Sequence, residues 1–256
     1  MDYTNLFKQC SDKVSRVGII GATRGYGYTL LAQIPKVKQM ELRLISSRHA
    51  DECMEVLTGL GYKEENIAVC ETAEQVKHAS KDKVLIVKDY HLVLESDITA
   101  LVECTGNTAV SAEVSAEALK RGINVYMVSK ETDSVCGPML NHIASQNGTV
   151  YSLVNGDQPR NLLDLYSWGK VLGLEIIAAG KASEYDFVWN PDTGEFTYME
   201  GNSKPNEVIS EMKDFWHFKG VETLKERERL LEKYMDVISA DLCEMNLVSN
   251  VTGLVP

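Results

Sequence analysis

No apolar run in this sequence approaches the roughly 18 residues that a membrane span requires. The opening stretch, MDYTNLFKQCSDKV, lacks the apolar core of a signal peptide. Basic clusters are missing as well. The net charge is −11, and so acidic a surface repels phosphodiester backbones, which argues against a nucleic-acid partner. The run LKERERLLEK (224–233) alternates in sign and reads as a solvated helix face. The six cysteines, Cys10, Cys53, Cys70, Cys104, Cys136 and Cys243, form no CxxC pair, so neither a disulfide framework nor a zinc site is expected. They read as small, reduced core residues of a cytoplasmic protein. The five histidines, His49, His78, His91, His142 and His217, show no HxxxH spacing, and no G-x-S-x-G elbow occurs. There is no internal repeat and no low-complexity tract.

What remains is a chain of 256 residues, 44% hydrophobic and 25% charged, a globular composition long enough for one large domain or two modest ones. RVGII (16–20), ELRLIS (41–46), IAVC (67–70), KVLIVKD (83–89), ITALVECTG (98–106), INVYMVS (123–129) and TVYSLV (149–154) read as strands. ELRLIS carries alternating faces, and KVLIVKD suits an edge. Residues 25–34, 50–61, 72–80, 108–121 and 137–148 read as the intervening helices, the first stopped by Pro35. This alternation predicts βαβ units and a doubly wound parallel sheet with right-handed crossovers.

The pattern changes after about residue 155. Residues 158–173 read as a helix, LEIIAAGK (174–181) as a strand, and 186–206 as a hairpin or long loop, with a charged helical stretch from about 207. In 234–253, Met235, Ile238, Leu242, Met245, Val248 and Val251 share one helical face. A second domain with so little strand reads as incomplete, either truncated or closed by a partner chain. Trp168, Trp189 and Trp216 read as core or interface anchors.

VGIIGATRGYGYTLLAQI (17–34) places Gly21, Gly25 and Gly27 between the first strand and the first helix. Glycine permits positive φ and close backbone approach, while the N–H groups of a helix start point at an anion. GATRGYG departs from G-x-G-x-x-G in spacing and by Thr23 in place of the second glycine. Glycines also serve tight helix-on-strand packing. In the first βαβ unit, the turn reads as a dinucleotide site with Gly21, Thr23, Arg24, Gly25, Tyr26 and Gly27 at the cofactor. The second strand ends in Ser46, Ser47 and Arg48, where an NAD site carries an acid for the ribose hydroxyls. Two hydroxyls and an arginine suit a 2′-phosphate, with Arg24 facing it too, so NADP is expected over NAD.

Thr105, Gly106 and Asn107 end a buried strand. They either face the cofactor at the topological switch point or form a plain strand-end turn. Ser129 and Lys130 end the next strand, with Ser129 at the cofactor. Lys130 is either surface or faces a nicotinamide amide or a substrate oxygen.

NGDQP (155–159), AAGK (178–181) and SNVTGL (249–254), together with the VGIIGA start, AQIP (32–35), ECTGN and CGPML (136–140), carry a resemblance across nearly the whole chain. The chain resembles the homoserine dehydrogenase-like NAD(P)-dependent oxidoreductases. Within them it is most similar to the type II, reductoisomerase-like form of 1-deoxy-D-xylulose-5-phosphate reductoisomerase. The resemblance implies an N-terminal nucleotide-binding domain, a catalytic domain used for dimer contacts, and a further C-terminal part expected to be missing here. The glycine turn is one residue longer than in the family, and Ser-Ser-Arg stands where several relatives have an acid. Lys181 matches a family lysine beside the substrate. At the end of an apolar strand it would be partly desolvated and a usable acid, or else a snorkelling surface lysine. Asp157 and Gln158 lie in the turn before a helix, where Asp157 caps, orients substrate, or does both. Asn250 and Thr252 match a family pattern or cap the last helix.

The sequence therefore predicts a doubly wound Rossmann domain over 1–155 and a partial α+β substrate and dimerisation domain over 156–256. The expected activity is hydride transfer between NADP(H) and a small polar, conceivably phosphorylated, carbonyl or hydroxy substrate. Lys181, Lys130 and Asp157 act as catalytic residues, and Gln158 and Asn250 bind substrate. A divalent metal enters only by analogy with a reductoisomerase. The chain is expected to be a cytoplasmic homo-oligomer, dimer or tetramer. The alternative is a non-catalytic NADP-binding or redox-sensing module that lacks a complete substrate domain.

Overall fold

Seven strands, all parallel, make the central sheet of the computed structural model, which describes residues 13–181, 188–198, 205–237 and 242–255. They are β1 Ser15–Ile20, β2 Met40–Ser46, β3 Ile67–Cys70, β4 Val84–Val87, β5 Ala100–Glu103, β6 Asn124–Met127 and β7 Tyr151–Leu153. Their order is β3-β4-β2-β1-β5-β6-β7, so the winding reverses between β1 and β5. The helices are α1 Gly25–Gln33, α2 Ala50–Gly59, α3 Ala73–His78, α4 Thr108–Lys120, α5 Lys130–Asn147 and α6 Gln158–Val171. Alternate strand residues seal the two faces. Val17, Ile19, Ile45 and Ile86 pack with Leu31 of α1 and Leu57 of α2. Leu44, Leu85, Leu101 and Val125 pack on the other face with Val114 and Leu119 of α4 and Leu140 of α5. This is the doubly wound α/β architecture.

A smaller antiparallel sheet follows, with β8 Val188–Trp189, β9 Glu195–Thr197 and β10 Asn206–Val208 in the order β10-β9-β8. With α7 Met212–Phe215 and α8 Val221–Leu231, it surrounds a small core of Trp189, Phe196, Met212 and Tyr234. Helix α9, Leu242–Thr252, returns to the Rossmann part and packs on α5 and α6, with Leu247 and Val248 against Leu163.

Several expectations change. ELRLIS does not alternate, because β2 lies between β1 and β4 with residues 42–46 all buried. Arg43 is tolerated there because Nε donates to Asp97 Oδ1 at 2.7 Å and Nη1 to the carbonyls of Ser80 and Lys83 at 3.0 and 2.5 Å. KVLIVKD is an interior strand between β3 and β2. Pro35 does not end the first helix outright but sits in a 3-10 turn over Ile34–Lys36. The helix expected from residue 137 starts at Lys130, so Lys130 opens a helix rather than ending a strand. Pro138 inside it has no N–H for the Ser134 carbonyl. That carbonyl accepts instead from the side-chain amides of Asn246 and Asn250, each at 2.9 Å.

LEIIAAGK is irregular. Leu174 and Ile177 are exposed, Ile176 folds back onto Gly169 of α6, and among the described residues no strand pairs with the segment. A strand without a partner leaves its backbone polar groups unpaired, so apolar composition alone does not make one. The buried face of α9 is Glu244, Leu247 and Val248, whereas Leu242 and Val251 are exposed. Ile238, Cys10 and most of the opening stretch lie outside the described residues.

The passage from β1 to α1 is the tightest in the sheet. A side chain at Gly27 would place its Cβ 2.7 Å from both Ala22 Cα and the Gly21 carbonyl oxygen. These are backbone atoms of the turn itself, which have little room to yield. Gly27→Ala is expected to destabilise the fold by about 1–3 kcal/mol, as overpacking does. A denaturant melt checks this; an unchanged midpoint would contradict it.

Candidate functional site

The carboxyl end of β1 opens into a cleft of about 620 Å³ at the switch point. Gly21 turns the chain there with φ +82, and a Cβ on it would lie 2.7 Å from the Cys104 carbonyl. Its N–H donates to the Ser46 carbonyl at 3.1 Å, which ties the turn to the end of β2. Gly25 has φ +55 and opens α1. Helix α1 has no side-chain cap and no acid in its first turn, so its leading N–H groups face the cleft end without an internal acceptor. A helix start of this kind, with no side chain in the way, is an anion seat.

Thr23, Arg24, Ser46, Ser47 and Arg48 all line this cleft. Arg48 is exposed, and among the described residues no ion pair engages it. The Ser47 hydroxyl accepts from the His49 N–H at 3.2 Å. One expectation is qualified. The strand end itself carries no acid, but Glu52, in the first turn of α2, also lines the cleft and meets Arg24 Nε at 3.4 Å. Lys88 and Tyr90, just past β4, form the far wall and had no signal in the sequence beyond their place at a strand end. The Tyr90 hydroxyl donates to Glu113 Oε2 at 2.9 Å, and the ring stacks on His91. His91 in turn bonds Asp89 at 2.8 Å and Glu113 at 3.2 Å.

Thr105 and Asn107 line the cleft at the end of β5. Asn107 also caps α4, its Oδ1 accepting from the Val110 N–H at 3.2 Å. Gly106, with φ +67, donates its N–H to the Ser129 hydroxyl at 2.8 Å. Ser129 is buried at the start of α5, so this bond brings the β6 end against the β5 end. Tyr26, on α1, spans the gap to the next group of residues. Burial first, and then the nearby Cys104 and Asp157, push its phenol pKa up.

Beyond Tyr26 lies an ionic cluster. Lys130 opens α5, Asp157 and Gln158 open α6, and Lys181 follows α6 in the irregular segment. Lys130 Nζ lies 3.4 Å from Asp157 Oδ1, and Lys181 Nζ donates to Gln158 Oε1 at 2.5 Å. Glu244 of α9 pairs with Lys130 through one oxygen and with Lys181 through the other. Asp157 also caps α6, accepting from the Gln158 N–H at 2.9 Å. Burial works against the Lys130 ammonium, but the Glu244 bond and the Asp157 and Glu244 charges outweigh it and hold the pKa above the usual lysine range. Lys181 faces a carboxylate rather than the apolar strand surroundings expected for it. Asn250 lies in the same region with its amide on Ser134, and Thr252 Oγ1 bonds the Val248 carbonyl at 2.7 Å near the helix end. Among the described residues no group of three or more histidine, cysteine, aspartate or glutamate side chains is placed to hold a metal ion. No helix among them is long and apolar enough to cross a membrane.

Glu244 was not anticipated. Its signal was present as an acid on the apolar face of the last helix, but that face was phased one residue off.

No family model matches the chain, and no curated protein matches it. Among solved structures, it is similar to scyllo-inositol dehydrogenase from Lactobacillus casei with bound NAD(H) and scyllo-inositol. That likeness has 17% identity and a TM-score of 0.43, and covers 62% of this chain and 42% of that one. It is also similar to the WlbA dehydrogenase from Bordetella pertussis in complex with NADH and UDP-GlcNAcA. There the identity is 15% and the TM-score 0.44, over 63% of this chain and 43% of that one. For a homoserine dehydrogenase from S. aureus the values are 16% and 0.38, over 55% and 32%. The matched part thus spans less than half of each of these proteins.

Asp89 first and Glu113 second raise the His91 pKa above its ordinary 6.5. A raised folded value means the bonds contribute stability below about pH 6.5, lost as pH rises through the folded value. Wild type is therefore expected to lose a small stability increment as pH rises above about 6.5 that His91→Gln lacks. Parallel melts check this; identical pH dependence in the two proteins would contradict it.

Proposed function

We propose that this chain is an NAD(P)-dependent oxidoreductase of the homoserine dehydrogenase-like kind. In this reading a dinucleotide-binding domain over 1–155 carries the cofactor, and residues 156–256 contribute to the substrate side. The observation that carries the reading is the glycine turn. It sets the start of α1, which no side chain caps, at the switch point beside a cleft of about 620 Å³.

The residues divide the work. The turn over Gly21–Gly27 grips the diphosphate through its amides. Arg48 and Lys88, with the Ser47 hydroxyl, hold the adenosine ribose and favour a 2′-phosphate, hence NADP over NAD. Arg24 adds less than its charge suggests, because Glu52 engages it. Thr105, Asn107 and Ser129 shape the floor near the ring. When bound, the nicotinamide supplies or accepts the hydride. Lys130 and Lys181 bind the substrate oxygen and donate a proton to it as charge develops, while Asp157 and Gln158 orient them. The substrate is a small polar carbonyl or hydroxy compound, and Asn250 stands at its edge. No step is assigned to a metal. A homo-oligomer, dimer or tetramer, is supported by the exposed Leu165, Trp168, Val171 and Leu172 along α6.

A non-catalytic NADP-binding module is the second reading. It is favoured by the charge balance that Glu244 and Asp157 impose on the two lysines.

Fluorescence titration with NADPH and NADH tests the cofactor reading. Arg48→Ala is expected to weaken NADPH by about tenfold, as losing a charge-assisted bond does, and NADH by less than about twofold. Equal weakening would remove Arg48 from the 2′-phosphate. Lys181→Ala is expected to leave NADPH affinity within about twofold, because the lysine lies on the substrate side. A large loss of affinity would place Lys181 at the cofactor instead.

A further inference from the structure

We infer that Glu244 is a positioning residue of the candidate active site, its carboxylate holding the Lys130 and Lys181 ammonium groups side by side. The inference rests on the reading of those lysines as the groups that meet the substrate oxygen. The two come from different elements, the first turn of α5 and the segment after α6. Glu244 joins them, one oxygen to each, with its side chain only 6% exposed. Lys130 also has Asp157 at 3.4 Å, and Lys181 also donates to the neutral Gln158, but of the described residues Glu244 is the one that reaches both. Two ammonium groups brought this close without the bridging carboxylate would repel each other.

Helix α9 is seated independently of these charges. Leu247 and Val248 bury against Leu163, and Asn246 and Asn250 both donate to the Ser134 carbonyl that Pro138 leaves without a helical partner. Glu244 is therefore presented to the lysines by a scaffold that does not depend on them, as preorganised sites require. Among the described residues, the charged groups against the pair include Glu244 from α9 and Asp157 from the start of α6, with Glu131 and the Cys243 thiol nearby. The Glu244 carboxylate aims both ammonium groups at one place.

The test is competitive acylation of the full chain across pH, read by peptide mass spectrometry, with exposed Lys170 as internal reference. In wild type, Lys130 is expected to react about tenfold or more slowly than Lys170 near pH 8 with its profile displaced to higher pH, and Lys181, its side chain only 11% exposed, is expected to react more slowly than Lys170 as well. In Glu244→Gln, both profiles are expected to move to lower pH, with rates rising about tenfold. Circular dichroism and NADPH titration accompany each protein. A folded Glu244→Gln chain with both profiles unmoved would overturn the inference. If that variant does not fold, the wild-type arm decides alone: lysines as reactive as Lys170 would overturn it. Protected lysines in a chain that binds no NADPH would instead sink the cofactor reading and leave the ionic arrangement standing.

Discussion

At the end of the first strand there is no room for a side chain. Gly21 passes so near the Cys104 carbonyl, and Gly27 so near Ala22, that a methyl group at either would meet backbone at 2.7 Å. That closeness lets β1 and β5 lie side by side while the chain between them turns into α1. It also leaves the first amides of α1 unobstructed at the sheet's switch point. Every later functional feature is placed relative to this turn. The ends of β2 and β4 bring Arg48 and Lys88 to one side of it, and the ends of β5, β6 and β7 bring Asn107, Ser129 and Asp157 to the other.

The second organising feature is electrostatic. Lys130, Asp157 and Lys181 are far apart in sequence and belong to three segments, and a carboxylate from a fourth gathers two of them. Burying such a group is costly unless its partners satisfy it. The structure sets one lysine against each Glu244 oxygen, while α9 takes its packing from Leu247 and Val248. The same helix repairs the defect that Pro138 makes in α5 through Asn246 and Asn250. Packing and charge placement thus share one element.

The Rossmann part was legible in the sequence because its strands are continuously apolar and its turns carry glycine where positive φ is required, as at Gly21 and Gly25. Thr23, Arg24, Ser46, Ser47, Arg48, Thr105 and Asn107 sit around one cleft because strand ends fix their positions. What could not be read locally was anything set by a neighbour. Arg43 looked like a solvent-facing residue because its partner Asp97 lies far along the chain. LEIIAAGK looked like a strand because composition does not reveal whether a pairing edge exists. Lys130 was assigned to a strand end because the helix was expected only from residue 137, whereas it starts at Lys130 and two asparagines from α9 satisfy the carbonyl that Pro138 leaves open. Glu244 was hidden by phase, since a one-residue shift of a helical face moves an acid from the rim to the buried stripe.

The central claim is that the glycine turn holds the diphosphate of a nicotinamide dinucleotide through its backbone. Amide hydrogen exchange of the wild-type chain with and without NADPH tests it directly. The account predicts that exchange at residues 22–28 slows on addition of NADPH, together with the ends of β2 and β5. Slowing confined to other segments, with the turn unchanged, would contradict it.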